Sequence, residues 1–344
     1  MSFKLFASAA QAKSAVLVGL YLIQSQESPF EEDRLRAFRD FKVKYRKSYA
    51  NLKENAFRFG VFSKNLDLIE EHGARPGQTF TVGVNEFADL SYSEFQSKYL
   101  MGNFDQMKEL AENSCGLETR ASRIGDLKSA VDWASEGKVQ KVKNQGQCGS
   151  CWAFSTVGSL ESAYAMFSAS NDLPNLSEQE LVDCAGGKYQ NQGCNGGLMN
   201  LGMAYIQDNG IHSESAYPYR GVDGTCKAAS VSGDKYSLKD CVLVGADTDS
   251  LTKAIAVQPV SVAFYVNLLF QFYTGGIFNP YFCSGQPNHG VLAVGYDLDQ
   301  GFYKVKNSWG ASWGEEGYFR IKIGTGKGTC DMAGSGASVY PLIN

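Results

Sequence analysis

The chain has 344 residues, is 44% hydrophobic and 20% charged, and carries a formal net charge of −4. That is enough apolar matter for one or two cored domains. It is unlike an intrinsically disordered chain and leaves no electrostatic footprint for nucleic acid. Nine cysteines point to an oxidising compartment, and the odd count requires at least one unpaired thiol or an intermolecular bond.

At the N-terminus, Lys4 and Lys13 precede the short apolar run SAVLVGLYLI. Its length suits the core of a signal peptide, placed at residues 1–25, and is too short to span a bilayer. No later segment is apolar enough to span one, so a soluble product is expected. In FEEDRLRAFRDFKVKYRKSY, residues Leu35, Phe38, Phe41 and Tyr45 fall three or four apart, on one face of a helix. Phe59, Phe62, Leu66 and Ile69 repeat the spacing, and Gly73 with Pro76 ends this second helix. FTVGVNEFADLS reads as a strand entering a turn. Residues 31–100 thus form a small, charged, helix-rich unit, and 101–125 are weakly patterned and read as a linker. His72 and His212 fall near helix ends and are expected at the surface.

From residue 126 to 344 glycine becomes dense. WAFSTVGSLESAYAMF places Ala153, Val157, Leu160, Tyr164 and Phe167 on one face of a helix that begins near Cys151. LSEQELVDC opens a second helix with Ser177 and Glu180 as a capping box. GLMNLGMAYIQDNG makes a third, closed by Gly210. The last third switches to strands in PVSVAFYV, HGVLAVGYD, GFYKVKNSW, GYFRIKI and ASVYPLI. Helices first and strands later predict an α+β arrangement of two segregated parts, with a cleft between them as the natural site.

The stretch NQGQCGSCWAF puts Cys148 and Cys151 three residues apart. A zinc site would need a second such pair or several histidines, and the chain has three histidines and no second C-x-x-C. A redox pair would sit in a βαβ context, which is absent. A catalytic thiol fits best. Cys151 stands at a helix N-terminus, where the helix dipole and free N–H groups favour the thiolate that attacks carbonyls. Cys148 then reads as a staple for the loop.

On these residues the chain from about 31 to 344 resembles a papain-family cysteine protease of the cathepsin L type, in precursor form. NQGQCGSCWAFS matches the family's nucleophile region. NHGVLAVGYD supplies His289, and KNSWGASWGEEGYFRI supplies Asn307 with Trp309 and Trp313; GCNGGLM and LSEQELVDC add to the match. Upstream, Glu54, Arg58, Phe62, Asn65 and Ile69 fit the ERFNIN helix motif, which departs at Gly73, and Gly83, Asn85, Phe87 and Asp89 fit the second propeptide motif.

The resemblance implies a papain-like fold with a helical part and an antiparallel, barrel-like β part. It implies a cysteine endopeptidase with Cys151 as nucleophile and His289 as base and then acid. Asn307 orients the imidazole, and Gln145 donates to the oxyanion beside the Cys151 N–H. It places Gly196 and Gly197 along an extended peptide. Leu198, Met199, Ala263 and Pro287 line the main pocket, Ser335 lies at its base, and Asn288 and Trp309 lie beside the substrate. The implied disulfides are Cys148–Cys194, Cys184–Cys226 and Cys283–Cys330, with Cys115 and Cys241 left either free or joined to each other.

The implied partners are protein and peptide substrates and the chain's own propeptide as an intramolecular inhibitor; no cofactor, metal, nucleic acid or membrane span is implied, and a monomer is expected. The implied location is the secretory pathway, ending in a lysosome, a digestive vacuole or outside the cell. Glu54 and Asp89 are the carboxylates expected to lose salt partners in acid, with cleavage between about Cys115 and Leu127. A catalytically dead scaffold is the competing class, and the intact Cys151, His289, Asn307 and Gln145 argue against it. Asn175 heads the single N-x-S/T sequon and is the expected glycosylation position.

Overall fold

The computed structural model describes residues 29–102, 115–117 and 126–343; the expected signal peptide at 1–25 and most of the expected cleavage stretch lie outside them. The chain divides into two compact units, one up to Lys64 and one from Asn65 onward.

In the first unit, α1 (Pro29–Lys44) and the opening turns of α2 (Leu52–Ala74) meet through aromatic rings. The spacing of Phe38 and Phe41 puts both on one face, and both are buried. Phe62 packs on them at ring distances of 5.3 and 5.1 Å, and the Arg34 guanidinium donates to the Ser63 carbonyl at 2.8 Å. Arg34 is itself buried, while Glu31, Glu32, Asp33, Arg36, Arg39 and Asp40 stay exposed, the polar side of an amphipathic helix.

The second unit begins inside α2 and continues through β1 (Phe80–Val82) and α3 (Tyr92–Tyr99). Ser91 caps α3 with a full capping box: its side chain accepts from the Glu94 N–H while Glu94 returns to the Ser91 N–H. His72, expected at the surface, is instead buried, with Nε2 3.1 Å from the Phe80 carbonyl. Local sequence does not reveal the strand that folds back to cover it.

The rest follows the helix-then-strand order. The helices are α4 (Cys151–Phe167), α5 (Glu178–Cys184), α6 (Met199–Asn209) and α7 (Thr248–Val257). α4 is buried on all sides rather than on one face, while Phe167 at its end is 39% exposed. Ala153, Ser155, Gly158, Ser159, Ser162 and Ala163 are small enough for neighbouring elements to close in around it. At α5 only half of the expected capping box forms. Ser177 accepts from the Glu180 N–H at 3.0 Å, but the Glu180 carboxylate turns inward to the His212 ring at 2.8 Å and the Tyr205 hydroxyl at 3.0 Å. His212 is therefore a buried partner of a buried acid, not a surface residue.

The strands are β2 (Gly116–Leu117), β3 (Ala130–Asp132), β4 (Ile211–His212), β5 (Lys235–Tyr236), β6 (Asp240–Leu243), β7 (Val260–Phe264), β8 (Tyr273–Phe278), β9 (His289–Asp297), β10 (Phe302–Lys306), β11 (Tyr318–Lys322) and β12 (Val339–Leu342). One sheet runs β1-β8-β11-β10-β9-β7-β12-β6-β2, with β3 also on β9, and β4 pairs with β5 separately. Two apolar cores result. One is aromatic and lies under the sheet around Phe264, Phe270, Trp309, Trp313 and Phe319. The other surrounds α4 and α6 with Trp152, Val157, Leu160, Leu201 and Met203. Four disulfides close the chain: Cys148–Cys194, Cys184–Cys226, Cys283–Cys330 and Cys115–Cys241. Among the described residues no helix is long and apolar enough to cross a membrane.

Candidate active site

Cys151 opens α4 and is the single cysteine outside a disulfide. The loop before it is fixed by Cys148–Cys194, with S–S 2.05 Å, and by the Gly149 N–H donating to the Cys194 carbonyl at 2.8 Å. A Cβ on Gly149 would lie 2.5 Å from the Cys194 oxygen and 2.9 Å from the Leu100 oxygen, so no side chain fits there. The Cys151 sulfur is wholly buried and accepts from the Gly290 N–H at 3.4 Å. Burial pushes its thiol up to about 11, against the backbone N–H groups of Gly290, Trp152 and Met101, which draw it down.

Facing it, His289 begins β9 and Asn307 directly follows β10. Antiparallel pairing of these strands, with Lys306 opposite Leu292, brings the two side chains together. His289 Nε2 lies 2.8 Å from Asn307 Oδ1. That oxygen also accepts from the Ser308 N–H at 2.9 Å, which fixes it as an acceptor. The imidazole proton therefore belongs on Nε2, and Nδ1 is left bare, buried and without a hydrogen bond. The Trp309 ring stacks on the imidazole at 4.6 Å and is 1% exposed. Burial pulls His289 down to about 4, and the bond to Asn307 offsets this only in part.

Gln145 is fully buried. Its amide donates to the Cys148 carbonyl at 2.8 Å and to the Tyr99 carbonyl at 2.9 Å, and its oxygen accepts from the Ser308 hydroxyl at 2.6 Å. The chain's own residues 99–102 thus lie in the site. The Met101 N–H donates to the Asn288 carbonyl at 2.9 Å and the Gly102 N–H to the Asn195 carbonyl at 3.3 Å. The segment is anchored behind this point. β1 pairs with β8, and the Asn85 amide donates to the Gln271 carbonyl at 2.7 Å. Phe87 and Phe95 meet the Trp309 ring edge-on at 5.8 and 5.1 Å.

Leu198, Met199 and Ala263 are fully buried in one apolar cluster that also holds Met101. Pro287 is buried and Asn288 partly so; the Asn288 side chain accepts from the Val266 N–H at 2.8 Å. Gly196 has φ +123, open only to glycine without strain, and a Cβ on it would meet the Met101 Cβ at 3.0 Å. Gly197 faces the Trp152 ring, where a Cβ would sit at 2.6 Å. Ser335 is buried but takes the Ala337 N–H at 3.2 Å, and it is Ala337 that joins the apolar cluster. The sequence reading missed Ala337 and Ser308. Ser308 could have been found as the hydroxyl adjoining Asn307.

Below Asn307 and Ser308 lies a buried charged group. Lys143 contacts Glu161 at 2.9 Å and Glu178 at 2.7 Å, and Lys306 lines the same small cavity. Burial alone would lower Lys143, yet the two carboxylates outweigh it and raise its pKa. Burial pushes Glu178 up to about 7 against the pull of Lys143, with Glu161 adding to the rise.

Residues 127–340 match the papain family of cysteine proteases and residues 38–95 the cathepsin propeptide inhibitor domain (I29). The chain belongs to the papain family of cysteine proteases. It is 40% identical over 317 residues to the thiol protease aleurain of Arabidopsis thaliana, covering 89% of this chain and 84% of that protein. Among solved structures, the proform of the ragweed pollen cysteine protease Amb a 11 superposes with a TM-score of 0.81 at 33% identity, over 91% of this chain and 96% of that one. A cysteine protease of Carica candamarcensis in complex with E-64 superposes at 0.59 and 39% identity, covering 63% of this chain and 100% of that one. The protein is thus a cysteine protease in zymogen form, with an N-terminal propeptide ahead of a papain-like peptidase region.

Proposed function

We propose that the protein is a secretory cysteine endopeptidase in which Cys151, His289, Asn307 and Gln145 carry the reaction. The observation that carries this reading is the Tyr99 carbonyl standing on the Gln145 amide, where a substrate's oxyanion would form beside the Cys151 N–H. In an opened cleft the bare Nδ1 of His289 takes the thiol proton while Asn307 holds Nε2. The thiolate attacks the scissile carbonyl, and the imidazolium gives its proton to the leaving amine. Water then hydrolyses the thioester. The Leu198, Met199, Ala263 and Pro287 pocket, floored by Ala337, selects Leu, Val or Phe two residues before the scissile bond. Each missing group is worth only about 1–3 kcal/mol. A peptide library led by Arg or Asp at that position would overturn this pocket.

The four disulfides favour passage through an oxidising compartment, toward a lysosome, a vacuole or the exterior. Asn175 is exposed ahead of α5, as a glycan acceptor must be. A monomer with protein and peptide substrates is the accompanying proposal.

The zymogen is held shut with thiol and imidazole both neutral, and this sets its pH response. His289 is pulled from 6.5 to about 4 when covered. The closed form therefore binds fewer protons than the open form inside that window. Its stability is whole above 6.5 and is lost as pH falls through it, by on the order of 3 kcal/mol. Cys151 has the opposite sign: raised from 9.0 to about 11, it supports closure below 9 and withdraws that support as pH rises. Glu54, expected to act as a trigger, lies 3.9 Å from Arg58 and is 37% exposed, a weak kind of pair. Asp89, the other expected trigger, is buried, and we propose His289 as a further group that carries the acid response. The test is to hold the precursor at neutral pH and shift it to about pH 4.5, following thiol-directed probe labelling of Cys151. Labelling should rise with acid in wild type. Equal labelling at both pH values would sink the acid-opening account.

A further inference from the structure

We propose that the Cys115–Cys241 disulfide tethers the inhibitory segment to the peptidase, so that activation depends on cleavage before Cys115 and leaves β2 on the mature enzyme. The proposal rests on the zymogen reading above. The bond joins residues 126 apart in sequence, with Cα atoms 4.9 Å apart. Cys115 lies upstream of residue 127, where the peptidase match begins. Cys241 lies in β6 and is wholly buried. Cys115 is partly buried and packs on the cluster that includes Cys241 and Leu243.

Backbone pairing points the same way. Gly116 and Leu117 lie parallel to Val242 and Leu243, and β2 is the last strand of the sheet. Without it β6 would be the edge, with a row of unpaired N–H and C=O groups. The pairing across this end runs from Leu117 to Leu243 to Val339, so the retained strand flanks the part of the sheet that carries β12, two residues after Ala337.

Cysteine arithmetic agrees. Eight of the nine cysteines are paired and Cys151 alone is free. If Cys115 left with the propeptide, a second, wholly buried thiol would remain at Cys241. Peptide hydrolysis cannot produce that state. It adds water across a C–N bond, yields a carboxylate and an amine, and leaves sulfur oxidation unchanged. A cut between residues 118 and 126 therefore separates the main chain but not the two pieces. The segment that occupies the site through Tyr99, Met101 and Gly102 stays attached at a high effective concentration. A cut between residues 103 and 114 detaches it and leaves a short disulfide-held chain containing Cys115, Gly116 and Leu117.

The experiment uses the full precursor with a site for a sequence-specific protease inserted either at 103–114 or at 118–125, cut at neutral pH without reductant. Cutting at 103–114 should let hundredfold dilution raise Cys151 labelling, because the freed inhibitor can then leave. Cutting at 118–125 should leave labelling low and unchanged on hundredfold dilution. When the precursor cut at 118–125 also carries Cys115→Ser, dilution should raise labelling at least tenfold, because the inhibitor is then free to leave. Intact mass adds a readout that does not depend on inhibition. Wild type cut at both sites should keep a peptide containing Cys115 that is lost only on reduction. Equal dilution response with and without Cys115, or a doubly cut enzyme lacking that peptide before reduction, would overturn the tether. An uncut precursor already fully reactive would instead overturn the zymogen reading, while the mass result would still decide the tether.

Discussion

The two walls of the cleft are held by different forces. The wall of Cys151 is a helix packed among charges and disulfides. Its loop is stapled by Cys148–Cys194, and Lys143, Glu161 and Glu178 are buried together at its foot, in a small cavity that Lys306, Asn307 and Ser308 of the other wall also line. The wall of His289 and Asn307 is made by the interior strands β9 and β10, backed by rings. Trp309 lies on the imidazole and meets Trp313 at 4.9 Å and Phe270 at 5.7 Å. Buried charges fail abruptly, because removing one leaves the other unpaired in a low dielectric. Packed rings fail gradually, because contact energy is spread over many atoms. The nucleophile's wall should therefore be brittle and the base's wall tolerant.

At the reacting atoms the contrast vanishes, and the largest effect is expected there. Cys151→Ser and His289→Ala should each lower kcat/KM of the activated enzyme by on the order of 10⁴-fold or more, since the members of such a unit fail together. Folding should persist in both. A double variant no worse than either single one would show that the two walls act as one device. A residual activity within tenfold of wild type in Cys151→Ser would remove the nucleophile assignment.

Away from the reacting atoms the difference should appear in stability. Lys143→Met keeps the length of the side chain but leaves Glu161 and Glu178 buried with a counter-charge removed, at a cost of about 3–5 kcal/mol. Part of that cost should be relieved in acid. Glu178 is raised to about 7, so the buried carboxylate is neutralised as pH falls below that value. Urea unfolding of a Cys151→Ser background at pH 7.5 and pH 5.5 measures this without self-digestion. A loss below about 1 kcal/mol at the higher pH would mean that the charged group is not a structural keystone of the helical wall.

These walls are not equally legible in the sequence. The helical spacing after Cys151, the apolar HGVLAVGYD run and the KNSWGASWG run yield three catalytic candidates and the elements that carry them. β8 escapes because YTGGIF lacks apolar alternation; it is defined by its partners β1 and β11. His72 and His212 are misplaced by local reading because burial of a polar ring depends on a distant acceptor, the Phe80 carbonyl in one case and Glu180 in the other. Cys330 and Asp331 both adopt positive φ, 55 and 62, a turn that spacing does not announce, ahead of the buried Ser335 and Ala337. Pairing of Cys115 with Cys241 stays open in the sequence for the same reason: connectivity is decided by which strands meet.

The smallest effect, and the sharpest test of the tolerant wall, is expected at Trp309. Its indole N–H is buried without a partner, so Trp309→Phe breaks no hydrogen bond. A six-membered ring can still lie on the imidazole, and Phe87, Phe95 and Phe270 can follow it inward. The stability cost should be about 1–2 kcal/mol, well below that of Lys143→Met. The chemical effect follows from the thinner cover over the His289–Asn307 bond. Water that reaches this bond competes for Asn307 Oδ1 and loosens the ring orientation that leaves Nδ1 facing the thiol. kcat should therefore fall several-fold while KM stays near wild type, because Trp309 stands behind the imidazole rather than among the apolar residues around Met101. Water access should also lift the depressed His289 pKa, so the closed precursor would lose less stability in acid and open less readily at pH 4.5. A stability loss equal to that of Lys143→Met would show that the aromatic wall is as brittle as the charged one, and the comparison between them would fall.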